Sequence, residues 1–73
     1  MMKIGNYELS ENTRFYTSFD GEKLITCGAG NDIPSCAIWI NGKPKSYDMT
    51  DDNLLPCTFD GFYDLFIDSQ ASE

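Results

Sequence analysis

The fold is decided by residues 14–27, which have the sequence RFYTSFDGEKLITC. Two β-prone runs flank Asp20-Gly21, a dipeptide that favours a tight hairpin turn because glycine and aspartate tolerate positive φ. A two-residue turn at this point pairs Phe19 with Glu22, Thr17 with Leu24, and Phe15 with Thr26. Both faces of the hairpin then carry apolar side chains, so we expect it to lie inside a sheet rather than at its margin.

Asn41-Gly42 predicts a second hairpin in the same way, between residues 36–40 and residues 43–47. The outgoing strand contains Pro44, which cannot donate a hydrogen bond to a sheet ladder, and a lysine on either side of it. Both features are typical of an edge strand, because they keep the strand from pairing with another chain.

The dipeptide Asp60-Gly61 is compatible with two different structures for residues 56–67. As a turn between apolar runs, the dipeptide predicts a third hairpin, which is the structure we favour. As a helix start, Asp60 is a good N-cap, and Phe62 and Phe66 fall at helical spacing. This alternative predicts a short C-terminal helix instead.

Three shorter segments carry weaker signals. Residues 3–9 predict a strand with a bulge or turn at Gly5-Asn6. Residues 50–55 predict one helical turn, which Pro56 stops. Residues 69–73 predict a frayed polar tail.

Together these patterns predict one mainly β domain over residues 1–68, or an α+β domain if the C-terminal helix forms. Its antiparallel sheet or barrel consists of two or three hairpins. A chain of 73 residues allows one small domain, and its 41% of hydrophobic residues is too much for a disordered chain. The predicted core consists of Phe15, Phe19, Leu24, Ile38, Ile40, Leu65 and Phe66.

The charge balance excludes several functions. The chain has 12 acidic and 5 basic residues, a net charge of -7 and no histidine. Nucleic-acid binders gain affinity by placing Lys and Arg on phosphates, so we expect no direct binding to nucleic acid or to an anionic membrane. Without histidine there is no Ser-His-Asp or Cys-His pair, and no phosphate-binding glycine loop is present. We therefore expect no enzymatic activity.

No apolar run approaches the roughly 20 residues that span a bilayer, and the N-terminal residues lack the apolar region of a secretion signal. We expect a cytoplasmic protein with reduced thiols. Cys27, Cys36 and Cys57 lack the close spacing of structural zinc sites, so we expect no metal and no cofactor. A Cys27–Cys36 disulfide is geometrically feasible, but the odd number of cysteines and the expected compartment favour free, partly buried thiols.

The acidic residues are concentrated in the last third of the chain, where seven lie between Tyr47 and Glu73 without any Lys or Arg. A charged segment is usually only a solvated surface, but charge of one sign also steers and accelerates association with a basic partner. Aromatic residues alternate with these acids and can supply the anchors of an interface. The candidate partner-binding residues are Asp48, Asp51, Asp52, Asp60, Asp64, Asp68, Tyr47, Phe62 and Tyr63.

The sequence therefore predicts a small acidic interaction module that acts as a stoichiometric inhibitor. Its acidic surface would occupy a basic, nucleic-acid-binding surface of a partner protein. In size and charge the chain resembles the small acidic proteins that phages and mobile elements carry against nucleases, restriction enzymes, CRISPR complexes or polymerases. This is a resemblance of type, carried by size and acidity, and no family motif accompanies it.

The alternative is a structural or assembly subunit that forms a homodimer or larger oligomer through a face of its sheet. Two apolar faces in so short a chain would then be explained by an interface that buries one of them. The two hypotheses differ in where the exposed apolar surface lies. An inhibitor places it beside the acidic residues, and an assembly subunit places it on the opposite face of the sheet.

Overall fold

The structure is a computed structural model that describes residues 2–28, 30, 32–50 and 53–71. It contains seven strands and one helix in these residues. They are β1 (Met2–Ile4), β2 (Tyr7–Leu9), β3 (Arg14–Ser18), β4 (Leu24–Cys27), β5 (Cys36–Ile40), β6 (Lys43–Ser46), β7 (Leu54–Cys57) and α1 (Phe59–Ala71).

Strands β3 to β7 form one antiparallel sheet with the order β6-β5-β4-β3-β7. Strands β1 and β2 form a separate small hairpin, and helix α1 packs on β3 and β4. The prediction of a mainly β fold is confirmed. The hairpin of residues 14–27 lies inside the sheet and the strand that contains Pro44 lies at its edge, as the sequence predicts.

The first hairpin has the predicted register but a different turn. Thr17 pairs with Leu24 and Phe15 with Thr26. Ser18 and Lys23 close a four-residue loop, with Ser18 N–H donating to the Lys23 carbonyl at 3.3 Å. The predicted two-residue turn was wrong because Ser18 and Asp20 side chains hydrogen bond to one another and to loop amides, which stabilises the wider loop.

The second hairpin has the predicted turn. Asn41 and Gly42 both have positive φ, at 53° and 77°. A two-residue turn of this type requires positive φ at both central residues, and its twist matches that of the flanking strands.

Both edge strands of the sheet carry a proline, Pro44 in β6 and Pro56 in β7. Pro44 lies opposite Trp39 and Pro56 opposite Tyr16. Tyr47 N–H donates to the Cys36 carbonyl, and hydrogen-bonded pairs alternate along an antiparallel ladder, so Pro44 and Trp39 form a non-hydrogen-bonded pair. Ser18 N–H donates to the Lys23 carbonyl, on the side of β4, so Tyr16 also directs its N–H to β4. Tyr16 and Pro56 therefore form a non-hydrogen-bonded pair as well. Each proline therefore costs the sheet no ladder bond and leaves its outer edge without a donor.

The C-terminal segment is a helix, so the favoured third hairpin was wrong and the alternative is confirmed. Thr58 is the N-cap, since its Oγ1 accepts a hydrogen bond from Gly61 N–H at 3.1 Å and its carbonyl accepts one from Phe62 N–H at 2.9 Å. Asp60 and Gly61 lie in the first turn, where the carboxylate interacts favourably with the helix dipole. The helix continues to Ala71, within the segment 69–73 that the sequence predicts as a polar tail, and residues 72–73 lie outside the described residues.

The helical turn predicted for residues 50–55 was wrong at its C-terminal end. Leu54 and Leu55 begin strand β7, which pairs with β3 in the register Ser18–Leu54 and Thr17–Leu55. The edge of β3 that faces away from β4 offers unpaired backbone N–H and C=O groups to this segment. The hydrogen bonds of strand pairing outweigh the local helical preference of the segment. Asp51 and Asp52, the centre of that prediction, lie outside the described residues.

The core lies between helix α1 and one face of the sheet. Phe62 is 0% and Phe66 3% exposed. The Phe62 ring centre lies 5.1 Å from that of Phe15, and the Phe66 ring meets that of Trp39 edge to face at 6.0 Å. The Trp39 indole N–H donates to Thr26 Oγ1 at 3.0 Å, which satisfies both buried polar groups.

Three of the seven predicted core residues lie outside the core cluster, and a fourth, Leu65, packs against it while remaining partly exposed. Phe19 is 74% exposed and Ile40 42% exposed, while Ile38 and Leu65 are half-buried. The reason is the choice of inner face on β5: Trp39 points to the helix, so Ile38 and Ile40 point away from it. Phe19 lies in the turn, beyond the last paired residues of the strand.

The β1–β2 hairpin closes the core at one end. Gly5 has a φ of 58° in the connecting turn, which confirms the predicted turn at Gly5-Asn6. The turn brings Ile4 and Leu9 to the same side, where both are buried. Tyr7 packs edge to face on Trp39, with ring centres 5.4 Å apart. No helix in the described residues is long and apolar enough to cross a membrane.

We expect Phe62→Ala to lower the free energy of unfolding by about 3–5 kcal/mol, because it removes the most deeply buried ring of the core. Urea denaturation followed by circular dichroism measures this loss. Phe19→Ala is the matched control and should cost less than about 1 kcal/mol, because the Phe19 ring is mostly in water. Similar losses for the two variants would contradict the packing described above.

Candidate functional site

The outer face of helix α1 carries a row of three aspartates. Asp60, Asp64 and Asp68 are four residues apart and exposed. At about 100° per residue, this row lies opposite the buried face of Phe62 and Phe66. The rise of the helix separates successive carboxylates by about 6 Å along its axis.

The aspartate row does not stabilise the helix as a whole. Like charges at a spacing of four residues destabilise a helix by about 0.2–0.5 kcal/mol per pair. The helix contains no Lys or Arg, and Asp68 lies near its C-terminus, where a negative charge is unfavourable. Only Asp60, in the first turn, gains from the helix dipole. Folding stability therefore does not account for the row.

An exposed apolar pair lies beside the aspartate row. Tyr63 is 39% exposed and Ile67 44% exposed, and their spacing of four residues places them next to each other on the helix. The Tyr63 ring stacks on Phe59 with ring centres 5.7 Å apart, and lies 6.4 Å from Phe66. Because these rings hold Tyr63 in place, less side-chain entropy is lost when it contacts another surface. We call Asp60, Tyr63, Asp64, Ile67 and Asp68 the helix surface.

The structure brings together four of the predicted site residues, namely Asp60, Asp64, Asp68 and Tyr63. Phe62 is fully buried and cannot be a contact residue, because helical periodicity turns it to the core. Tyr47 is half-buried and hydrogen bonds through its backbone to Cys36, on the sheet face opposite the helix.

Asp48 is exposed in the segment that follows β6, and Asp51 and Asp52 lie outside the described residues. Sequence reasoning missed Ile67. The signal was present in the spacing of 60, 64 and 68 and of 63 and 67, both of which fit a helix and not a strand. The strand interpretation of this segment concealed it.

The sheet face opposite the helix forms a second candidate surface, which we call the open face. It centres on Ile25, which is 0% exposed although it is not part of the core cluster beneath the helix. By strand alternation, Tyr16 and Ile38 flank Ile25 on this face. The strand positions of this face include Arg14, Lys43 and Lys45 and no acidic residue.

A groove of about 1170 Å³ lies between the β1–β2 hairpin, the Asn41-Gly42 turn and the end of helix α1. Its lining includes Glu8, Glu11 and Asp32 opposite Lys43. The groove is broad and open, and its three carboxylates are exposed.

The three cysteines are free and half-buried, as expected from the sequence. Among the described residues, no cluster of three or more Cys, Asp or Glu side chains is placed to hold a metal ion. Burial raises the pKa of Cys57, which packs against the core beneath the helix.

Comparison with known proteins found no match. No family model, no curated protein and no solved structure matches this chain. The functional interpretation therefore rests on the surfaces described above.

Proposed function

We propose that this protein is a protein-binding inhibitor whose helix surface occupies a basic, nucleic-acid-binding surface of a partner protein. The observation that carries the proposal is the exposed row of Asp60, Asp64 and Asp68 beside the exposed Tyr63 and Ile67. A basic partner complements the charges, and the apolar pair supplies a desolvated contact at their side. This mode of action is what the resemblance in size and acidity to the small inhibitors of phages and mobile elements implies.

The charge density of the helix surface limits how closely it imitates nucleic acid. One carboxylate per roughly 6 Å of helix is about half the linear density of a single DNA strand, which has one phosphate per roughly 3.4 Å. The row spans about 12 Å, which corresponds to only a few phosphates. Charge alone is therefore too sparse for tight binding, and the apolar pair must contribute to the affinity.

Removal of the three charges tests the proposal. The wild-type chain, immobilised on a column, should retain a partner protein at low salt and release it at high salt. We expect the triple variant Asp60→Asn, Asp64→Asn, Asp68→Asn not to retain this partner. The retained protein is identified by mass spectrometry from a lysate. Its binding to a DNA or RNA oligonucleotide is then measured with and without the purified chain.

A matched control removes three charges elsewhere, by Glu8→Gln, Glu11→Gln and Glu22→Gln. It has the same net charge as the helix variant, and all three positions are exposed outside α1. The proposal requires that the control retain the partner and that the wild-type chain displace the oligonucleotide. Equal behaviour of the two triple variants, or a partner that still binds its oligonucleotide, would contradict it.

The apolar pair should contribute separately from the charges. We expect Tyr63→Ala and Ile67→Ala each to weaken binding of the purified partner by about fivefold or more, because anchor residues cost over about 1 kcal/mol when truncated. The loss should persist at high salt, unlike that of the aspartate variant. Titration calorimetry at two salt concentrations measures both effects, and Phe19→Ala, an exposed ring outside the helix surface, is the control.

Self-association through the open face is a second candidate function, supported by the position of this apolar face away from the helix acids. Because a proline interrupts each edge strand, association would use the face rather than an edge. We expect Ile38→Asp to abolish any rise in molar mass with concentration, while the triple aspartate variant keeps it. Sedimentation equilibrium measures the mass, and a monomer at all concentrations would exclude this candidate.

A further inference from the structure

Two cysteines face each other across the open face of the sheet. Cys27 in β4 is the direct partner of Cys36 in β5. Gly28 N–H donates to the Ser35 carbonyl, which makes the next pair along the ladder a hydrogen-bonded one. Because such pairs alternate in an antiparallel sheet, Cys27 and Cys36 occupy a non-hydrogen-bonded position, where side chains lie closest together.

This position suits a disulfide without movement of the strands. Directly opposed residues at non-hydrogen-bonded positions have Cα atoms about 4.5 Å apart. Disulfides span Cα separations of about 4.4–6.8 Å. The Cys36 side chain also interacts with the Cys27 thiol, since it contributes to the raised pKa of Cys27.

The surroundings distinguish the two thiols. Burial, with the hydrogen bond to Cys36, raises the pKa of Cys27 to about 12, although the Arg14 guanidinium opposes this rise. Cys27 is therefore protonated at neutral pH and is a poor nucleophile on its own. Arg14 lies opposite Cys27 on β3, where its positive charge favours the thiolate form of Cys27 and so assists the second step of a disulfide exchange.

We propose that Cys27 and Cys36 form a redox-active dithiol site that reacts with small-molecule disulfides. The Cys36 thiolate attacks one sulfur of the small disulfide, forms a mixed disulfide and expels the first small thiolate. The Cys27 thiol then loses its proton, attacks Cys36 Sγ and expels the second. In the balanced reaction the protein loses two protons and two electrons, which together equal two hydrogen atoms, and the small disulfide becomes two thiols.

The product would link the C-terminal end of β4 to the N-terminal end of β5. The pair is already in register, so oxidation needs no rearrangement of the sheet. The site lies on the opposite side of the sheet from the helix surface. The proposal of a dithiol site therefore does not depend on the proposed inhibitor function.

Glutathione disulfide is the probe for the test. The folded chain is incubated with it at neutral pH, quenched in acid, and analysed by intact mass and by thiol alkylation after unfolding. We expect the wild-type chain to lose the mass of two hydrogen atoms and to keep one alkylatable thiol, Cys57. Cys57→Ala is the matched control, and should close the same disulfide at an unchanged rate.

The single variants separate the roles of the two thiols. Cys27→Ser should stop at one glutathione adduct on Cys36. Cys36→Ser should form an adduct on Cys27 about tenfold or more slowly, with a rate that rises with pH as the thiol ionises. Arg14→Gln should slow the closure of the disulfide.

Three results would overturn the proposal. They are a wild-type chain that keeps all three thiols alkylatable, one that accumulates the mixed disulfide without closing it, and one whose disulfide involves Cys57. Equal adduct rates in the two serine variants would overturn the assignment of Cys36 as the attacking thiol.

Discussion

The packing of the Phe62 and Phe66 rings against Phe15 and Trp39 is the constraint on which the rest of the structure depends. These four side chains join the helix to the middle strands of the sheet, and their rings meet at 5–6 Å separations. In a chain of 73 residues the helix is the main cover of the sheet, so this contact decides which sheet face is buried. It also fixes the rotation of the helix and thereby the residues that it presents outward.

Both candidate surfaces follow from that rotation. With Phe62 and Phe66 turned inward, the helix must expose Asp60, Asp64 and Asp68 together, on the side that a partner can reach. With Trp39 turned inward, β5 must direct Ile38 and Ile40 to the opposite face. The helix therefore presents a row of acids on one side of the sheet, while the strand positions of the other side carry no acidic residue, and the two sides favour different partners.

The open face combines apolar burial with the proposed dithiol site, which the helix surface lacks. Its central residue, Ile25, is fully buried although it lies outside the core cluster beneath the helix. The Cys27–Cys36 pair lies on the same face, next to Arg14. A change in the redox state of the pair would alter this face while leaving the helix surface intact.

The local sequence by itself determined the two central hairpins, the register of the first, the edge position of Pro44 and the concentration of acids in the last third. These follow from turn chemistry, strand periodicity and the missing proline donor, which act over a few residues. Only the tertiary structure decided between strand and helix after Thr58, because an Asp-Gly pair suits both a hairpin turn and a first helical turn. It also decided which side of the sheet is inner, since both sides carry apolar residues and only the docking of the helix distinguishes them. For the same reason Phe62 became core and Ile67 became surface, a choice that depends on contacts between residues far apart in the chain.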